Sequence, residues 1–210
     1  MPNTPPEPAA TTIARFDTPP EERTWPASRA IDALLRECAR LLFAECREDL
    51  WSWLSEGDLQ GMFYAIVRRE LPAHGLPAST LHAAYPFRIT AEQAQTLGLK
   101  GRTLSADMVL VVPHTLRMLR GRRWTADFVA AIEIKRGYER YREIRADLVK
   151  LAAVRSVWSN VLTYMVVMGH RSAHEDVAAV EREAKANGVT LLADNYWVQD
   201  AHIDQPELVQ

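Results

Sequence analysis

The residues with the clearest chemical potential lie in two apolar runs, Ser105 to Val112 and Phe128 to Lys135. Such runs read as buried strands, and side chains two apart on a strand project from one face. Glu133 and Lys135 therefore point together, while Ile132 and Ile134 face the other way. Asp107, on the neighbouring run, can bring a second carboxylate to the same spot. Two carboxylates and a lysine are what metal-assisted phosphodiester hydrolysis asks for. Mg²⁺ (or Mn²⁺) takes few carboxylates and keeps several waters, so Asp107 and Glu133 suffice as direct ligands, with the Ile134 carbonyl as a third oxygen. Lys135, beside Glu133, can position or help deprotonate the attacking water. A structural reading stands next to this one: Glu133 and Lys135 as an ion pair at a strand end, and Asp107 as the cap of a turn.

The elements that must hold these residues follow from periodicity. Ile31, Leu34, Leu35, Cys38, Leu41 and Leu42 recur at helical spacing and predict a helix from Ala27 to about Trp53. Ser55 and Asp58 form a capping box that starts a second helix, which ends near Leu71 and Pro72 and carries Glu56 in its first turn. An acid there suits the helix dipole as well as a site, and Glu45, Glu48 and Asp58 are rivals for the same role. A first strand is expected over Leu81 to Ile89, at a sheet edge because of Pro86, and a short helix over Ala91 to Arg102. Strands over Leu104 to Val112 and Phe128 to Lys135 follow, then a helix from about Glu139 to Trp158 with Asp147 and Lys150 as an i,i+3 ion pair that is at most modestly stabilising. A strand from Val161 to Met168, a helix from Ala173 to Ala186 and a strand from Val189 to Ala193 close the chain's regular part. This order predicts an α/β fold with a mixed central sheet flanked by helices, preceded by a helical extension.

Composition bounds the rest. The 210 residues suit one domain, from 27 to 210, behind a proline-rich tail at residues 1 to 26 that reads as flexible and as a segment able to recruit a protein partner. No signal-peptide pattern or membrane-length apolar run is present, so the expected location is cytoplasmic, with Cys38 and Cys46 as buried reduced thiols. The net charge of −2 argues at first against a nucleic-acid partner, but its distribution reverses that. Residues 117 to 155 hold eleven Lys/Arg against five acids, bracketing the Glu133–Lys135 strand. Arg120, Arg122, Arg123, Arg136 and Arg140 are the candidates for phosphate contacts, although a solvated helix face also explains part of the excess. His170 and His174 straddle a strand end and a helix start, which does not suit a zinc site.

The arrangement Asp107, then Glu133-Ile134-Lys135, with Glu56 on an upstream helix and an αβ unit downstream, resembles the PD-(D/E)XK nuclease superfamily over roughly Ser55 to Met168. Ala106 stands where the name-giving proline would be, and the helix after Lys135 lacks a Gln-x-x-x-Tyr motif. The resemblance implies a restriction-endonuclease-like αβββαβ core and a nuclease acting on DNA. It implies a divalent metal on Asp107 and Glu133, Lys135 assisting water and Glu56 completing the site. A homodimer is a reasonable companion expectation, because twofold symmetry serves the cutting of two strands. The alternative is a nuclease-like fold used as a non-catalytic nucleic-acid or protein-binding module.

Overall fold

The computed structural model describes residues 28–48, 55–96, 101, 103–112, 115, 117–119, 123–125, 127–138, 141–170 and 174–196. The proline-rich segment, Arg120, Arg122 and Arg140 lie outside the described residues, and Arg123 is described only as backbone. A five-stranded mixed sheet sits between two helical layers, as the alternation of apolar runs and amphipathic stretches predicts. Its strands are β1 (Leu81–Arg88), β2 (Thr103–Val111), β5 (Phe128–Arg136), β6 (Leu162–His170) and β7 (Thr190–Tyr196), in the spatial order β1-β2-β5-β6-β7. The first two joins are antiparallel and the last two parallel. β1 has one neighbour, the edge position that Pro86 requires because proline cannot donate to a second ladder.

One layer is α1 (Ser28–Glu48) and α2 (Glu56–Glu70), which cover the sheet through Leu34, Leu42, Leu59 and Phe63 against Ile132, Ile134, Tyr164 and Val166. The other is α4 (Tyr141–Val157) and α5 (His174–Ala186), packed through Ile144, Leu148, Leu151 and Val180 against Val109, Ala131, Met165 and Val167. A short helix, α3 (Ala91–Thr96), follows β1. The basic connection between β2 and β5 contains a two-stranded ribbon, β3 (Arg117–Leu119) against β4 (Arg123–Thr125). Polar ties fix α1 at its edges: the Tyr164 hydroxyl donates to Asp32 at 2.8 Å, and Arg47 pairs with Asp194 at 2.6 Å. Cys38 and Cys46 are buried free thiols, each pushed up to about 12 by burial and then by nearby carboxylates, which leaves them as small apolar groups at neutral pH. Among the described residues no helix is long and apolar enough to cross a membrane.

Two features of the backbone place the residues of interest. After β5 the chain turns at Gly137, whose φ of 79° favours glycine. The turn lies directly on the end of β6: Gly137 donates to the Met168 carbonyl at 2.8 Å, and a Cβ built on Gly169 would stand 2.4 Å from the Gly137 Cα. Two glycines in contact let the chain leave Lys135 and enter α4 across the sheet without a detour. On the other side of β5, the β2–β5 ladder stops at Met108↔Ile132. Ala84, between the pairs Ala83↔Met108 and Tyr85↔Ala106, has a φ of 50° and stands opposite Asp107. Phe87 pairs with Leu104 and Phe128 with Val111, positions about 23 Å apart along an extended β2. Their ring centroids are nonetheless 4.6 Å apart, with Tyr85 and Trp158 completing the aromatic cluster. The β1–β2 ribbon therefore bends at Ala84 and Asp107 and folds over the α4 side of the sheet. Trp158 is accounted for by this packing.

Candidate active site

Asp107 is at the point where β2 leaves β5. With the backbone ladder ended, its side chain takes over: Oδ2 accepts a hydrogen bond from the Ile134 amide at 2.8 Å. The amide and carbonyl of one strand residue project to the same side, so the Ile134 carbonyl also faces the gap beside Asp107, beyond the last paired residue. Extending the register Met108↔Ile132 by one step sets Asp107 across from Glu133. Asp107 thus accepts from a strand amide 27 positions away and not from a local turn, and it also stands next to a second carboxylate.

Glu133 and Lys135 face α4, with 2% and 8% of their surfaces exposed. The Glu133 carboxyl is pushed up to about 8, first by burial and next by the charge of Asp107, with Lys150 opposing. Lys150, from the third turn of α4, brings its Nζ to 2.6 Å from Glu133 Oε1. The approach is close but misaligned, so that Oε1 is buried without a properly directed hydrogen bond. Asp147 joins the two lysines: Oδ1 lies 2.7 Å from Lys150 Nζ and Oδ2 lies 3.0 Å from Lys135 Nζ. Lys135 in turn reaches Glu56 Oε1 at 3.0 Å. The result is an alternating chain of charges, Glu56–Lys135–Asp147–Lys150–Glu133, with Asp107 across from its buried end.

Of the four acids that compete on sequence for the upstream position, geometry selects Glu56. Asp58 is held by the cap, accepting from the Ser55 amide at 2.6 Å, Glu45 faces Arg69 at 3.8 Å, and Glu48 is exposed. Contacts within the cluster bear on two expectations. Burial works against the Lys135 ammonium, but its contacts with Asp147 and Glu56 outweigh it and hold its pKa above the usual range, which favours positioning a water over taking a proton from it. Asp147 and Lys150 do form the expected i,i+3 pair, and both also reach into the charged cluster. The signal was present: Asp147 is three residues after Ile144 and four before Leu151, on the helix's apolar stripe, where a charge needs a partner. Of the five arginines, only Arg136 has a described side chain, exposed one residue beyond Lys135.

Comparison with protein-family models, curated proteins and solved structures gives no significant match. What the site can do is thus argued from its chemistry. Fully ionised, four carboxylates face two ammonium groups, a formal excess of two negative charges that one divalent cation would balance. Among the described residues no three His, Cys, Asp or Glu side chains form a ready metal cluster. A hard cation that keeps most of its waters needs fewer protein ligands than that. Asp107 and Glu133, close enough to repel one another, with a buried oxygen lacking an aligned partner, fit it.

Proposed function

We propose that this chain is a divalent-metal-dependent nuclease of the PD-(D/E)XK kind, hydrolysing phosphodiester bonds, with DNA as the substrate. The observation that carries the reading is the buried Glu133 carboxyl set against Asp107 at the edge of a paired ladder, where an apolar side chain would pack without cost. Asp107, Glu133 and the Ile134 carbonyl would hold Mg²⁺ or Mn²⁺, which supplies charge to screen the phosphate and acidify a water. Lys135, kept protonated and braced by Glu56 and Asp147, would offer fixed positive charge to the phosphate as negative charge grows in the transition state. Glu56, 31% exposed at its side chain, is the carboxylate best placed to meet solvent and accept a proton from the attacking water. Arg136, and by the same reasoning Arg120, Arg122, Arg123 and Arg140, would bind the phosphate backbone.

A second reading, a non-catalytic nucleic-acid or protein-binding module, draws on a specific observation: each lysine of the cluster already satisfies two carboxylates within the fold. One experiment separates the two. Wild type and Glu133→Gln are assayed on duplex DNA, single-stranded DNA and RNA with Mg²⁺, Mn²⁺ or EDTA. A nuclease cuts at least one substrate in an EDTA-sensitive way, and the variant loses on the order of 10²-fold or more in rate. A folded wild type that cuts none of them, and gains no thermal stability from either metal, moves the binding module to the front.

A further inference from the structure

The two lysines of the cluster do different jobs. Lys135 lies between two partly buried carboxylates from different helices, Glu56 and Asp147, and bridges α2 to α4. Lys150 comes from α4 itself and has 21% of its side chain exposed, while its ammonium lies on a carboxyl that is 2% exposed. The contact with Glu133 Oε1 is 2.6 Å, and Lys150 has a second partner at nearly the same distance, 2.7 Å, in Asp147 one turn away. A lysine has a flexible four-carbon stem and a point charge, so it can swing from one carboxylate to the other at little cost.

Resting on the metal-dependent reading above, we infer that Lys150 is a built-in counter-ion that occupies Glu133 until a divalent cation displaces it onto Asp147. Metal uptake at this site is then an exchange of one cation for another. The arrangement has a physical rationale in two parts. Without a cation, a carboxylate at this depth beside Asp107 would be an uncompensated buried charge between α4 and β5, and Lys150 supplies a countercharge 2.6 Å away. With the metal in place, Asp147 keeps the released ammonium from becoming an unpaired charge, since its Oδ1 is already 2.7 Å away. Asp147 is thus the resting place that makes the displacement reversible, while its other oxygen continues to brace Lys135.

The exchange predicts that removing the internal competitor strengthens metal binding. Mg²⁺ binding is measured by titration calorimetry on the full chain for wild type, Lys150→Met, Lys150→Arg and the double variant Glu133→Gln/Lys150→Met. Lys150→Met should bind Mg²⁺ roughly tenfold or more tightly than wild type, because a repelling unit charge is gone from beside the ion. Lys150→Arg, which keeps the charge, should stay near the wild-type affinity and guards against a Lys150→Met chain that fails to fold. The double variant should lose binding. Equal or weaker binding by a folded Lys150→Met, or tighter binding by Lys150→Arg to the same degree, overturns the exchange while leaving the metal-dependent reading intact. If neither wild type nor any variant binds Mg²⁺, the metal-dependent reading itself falls, and the exchange with it.

Discussion

β5 and β6 are parallel neighbours in the centre of the same sheet, and they meet the same two helical layers. In register, Glu133 stands beside Met165 and Lys135 beside Val167. On the face toward α1 and α2 the two strands are chemically alike, Ile132 and Ile134 against Tyr164 and Val166. On the face toward α4 they part: β6 continues with Met165 and Val167 while β5 changes from Ala131 to Glu133 and Lys135. Depth, helical layers and strand direction are shared, and β5 differs in having lost its β2 ladder there, so nothing in the layer packing requires charge. The fold accepts methionine and valine one strand away. Buried charge that the architecture does not need calls for another reason, and this difference between two adjacent strands is the strongest internal argument for the proposal that the cluster is a site.

The comparison depends on the two strand ends touching, so its largest expected break is Gly169→Ala. The added methyl would meet the Gly137 backbone, which has no side chain to swing aside. Either β6 or the turn into α4 must move, and with it Asp147 and Lys150. The expected loss is about 4 kcal/mol or more of stability, read by chemical denaturation, together with loss of Mg²⁺ binding in any fraction that folds.

A second way to sharpen the contrast uses pH. Burial and the charge of Asp107 push Glu133 up to about 8 from an ordinary 4.5, whereas Met165 beside it cannot titrate. In that window the folded chain holds a proton that the unfolded chain has released. Glu133 therefore favours the folded state most at low pH, and its contribution is lost as pH rises through 4.5 toward about 8. The slope attributable to it is up to roughly 1.4 kcal/mol per pH unit. Denaturation of wild type and Glu133→Gln across this range should show the shallower profile in the variant. Identical profiles would mean that Glu133 is not held up by its surroundings.

A third test makes β5 resemble β6. Replacing both members of the buried contact, Glu133→Met with Lys150→Met, should be neutral or stabilising by up to about 1–2 kcal/mol, since paired charges at this depth recover little of their desolvation. Glu133→Met should bind no Mg²⁺. Large destabilisation by the double variant would mean that the charges are structural, and that β5 differs from β6 for packing reasons.

How far the sequence carried these conclusions can be judged residue by residue. The helices and strands around the site were legible because their apolar periods are long and undisturbed, and Glu56 was legible because Ser55 and Asp58 announce the helix start. The alternation in Phe128 to Lys135 put Glu133 and Lys135 on one face correctly. Asp147 and Lys150 escaped because a spacing of three within a helix reads as a local pair until the strand beneath it is known. The role of Lys135 escaped for a related reason: its protonation is set by Glu56 and Asp147, which are 79 and 12 positions away. Least legible was the bend of the β1–β2 ribbon, because the residue at its corner is an alanine. Left-handed backbone is ordinarily announced by glycine or asparagine.

That corner supplies the smallest and most selective test. Ala84 is exposed and sits at a φ of 50°, a conformation that costs an L-residue about 1–2 kcal/mol relative to glycine. Against this, glycine loses more backbone freedom on folding, by roughly 0.5–1 kcal/mol. Ala84→Gly should therefore be neutral or stabilising by up to about 1 kcal/mol, with Mg²⁺ affinity unchanged, because the bend that carries Asp107 away from the β5 ladder is relieved and not removed. A clear loss of stability would mean that the ribbon is held by contacts of the Ala84 methyl and not by its backbone. A loss of Mg²⁺ affinity at unchanged stability would show instead that a stiff corner is needed to hold Asp107 against Ile134, and would extend the site one strand further toward the edge of the sheet than the charged residues alone define it.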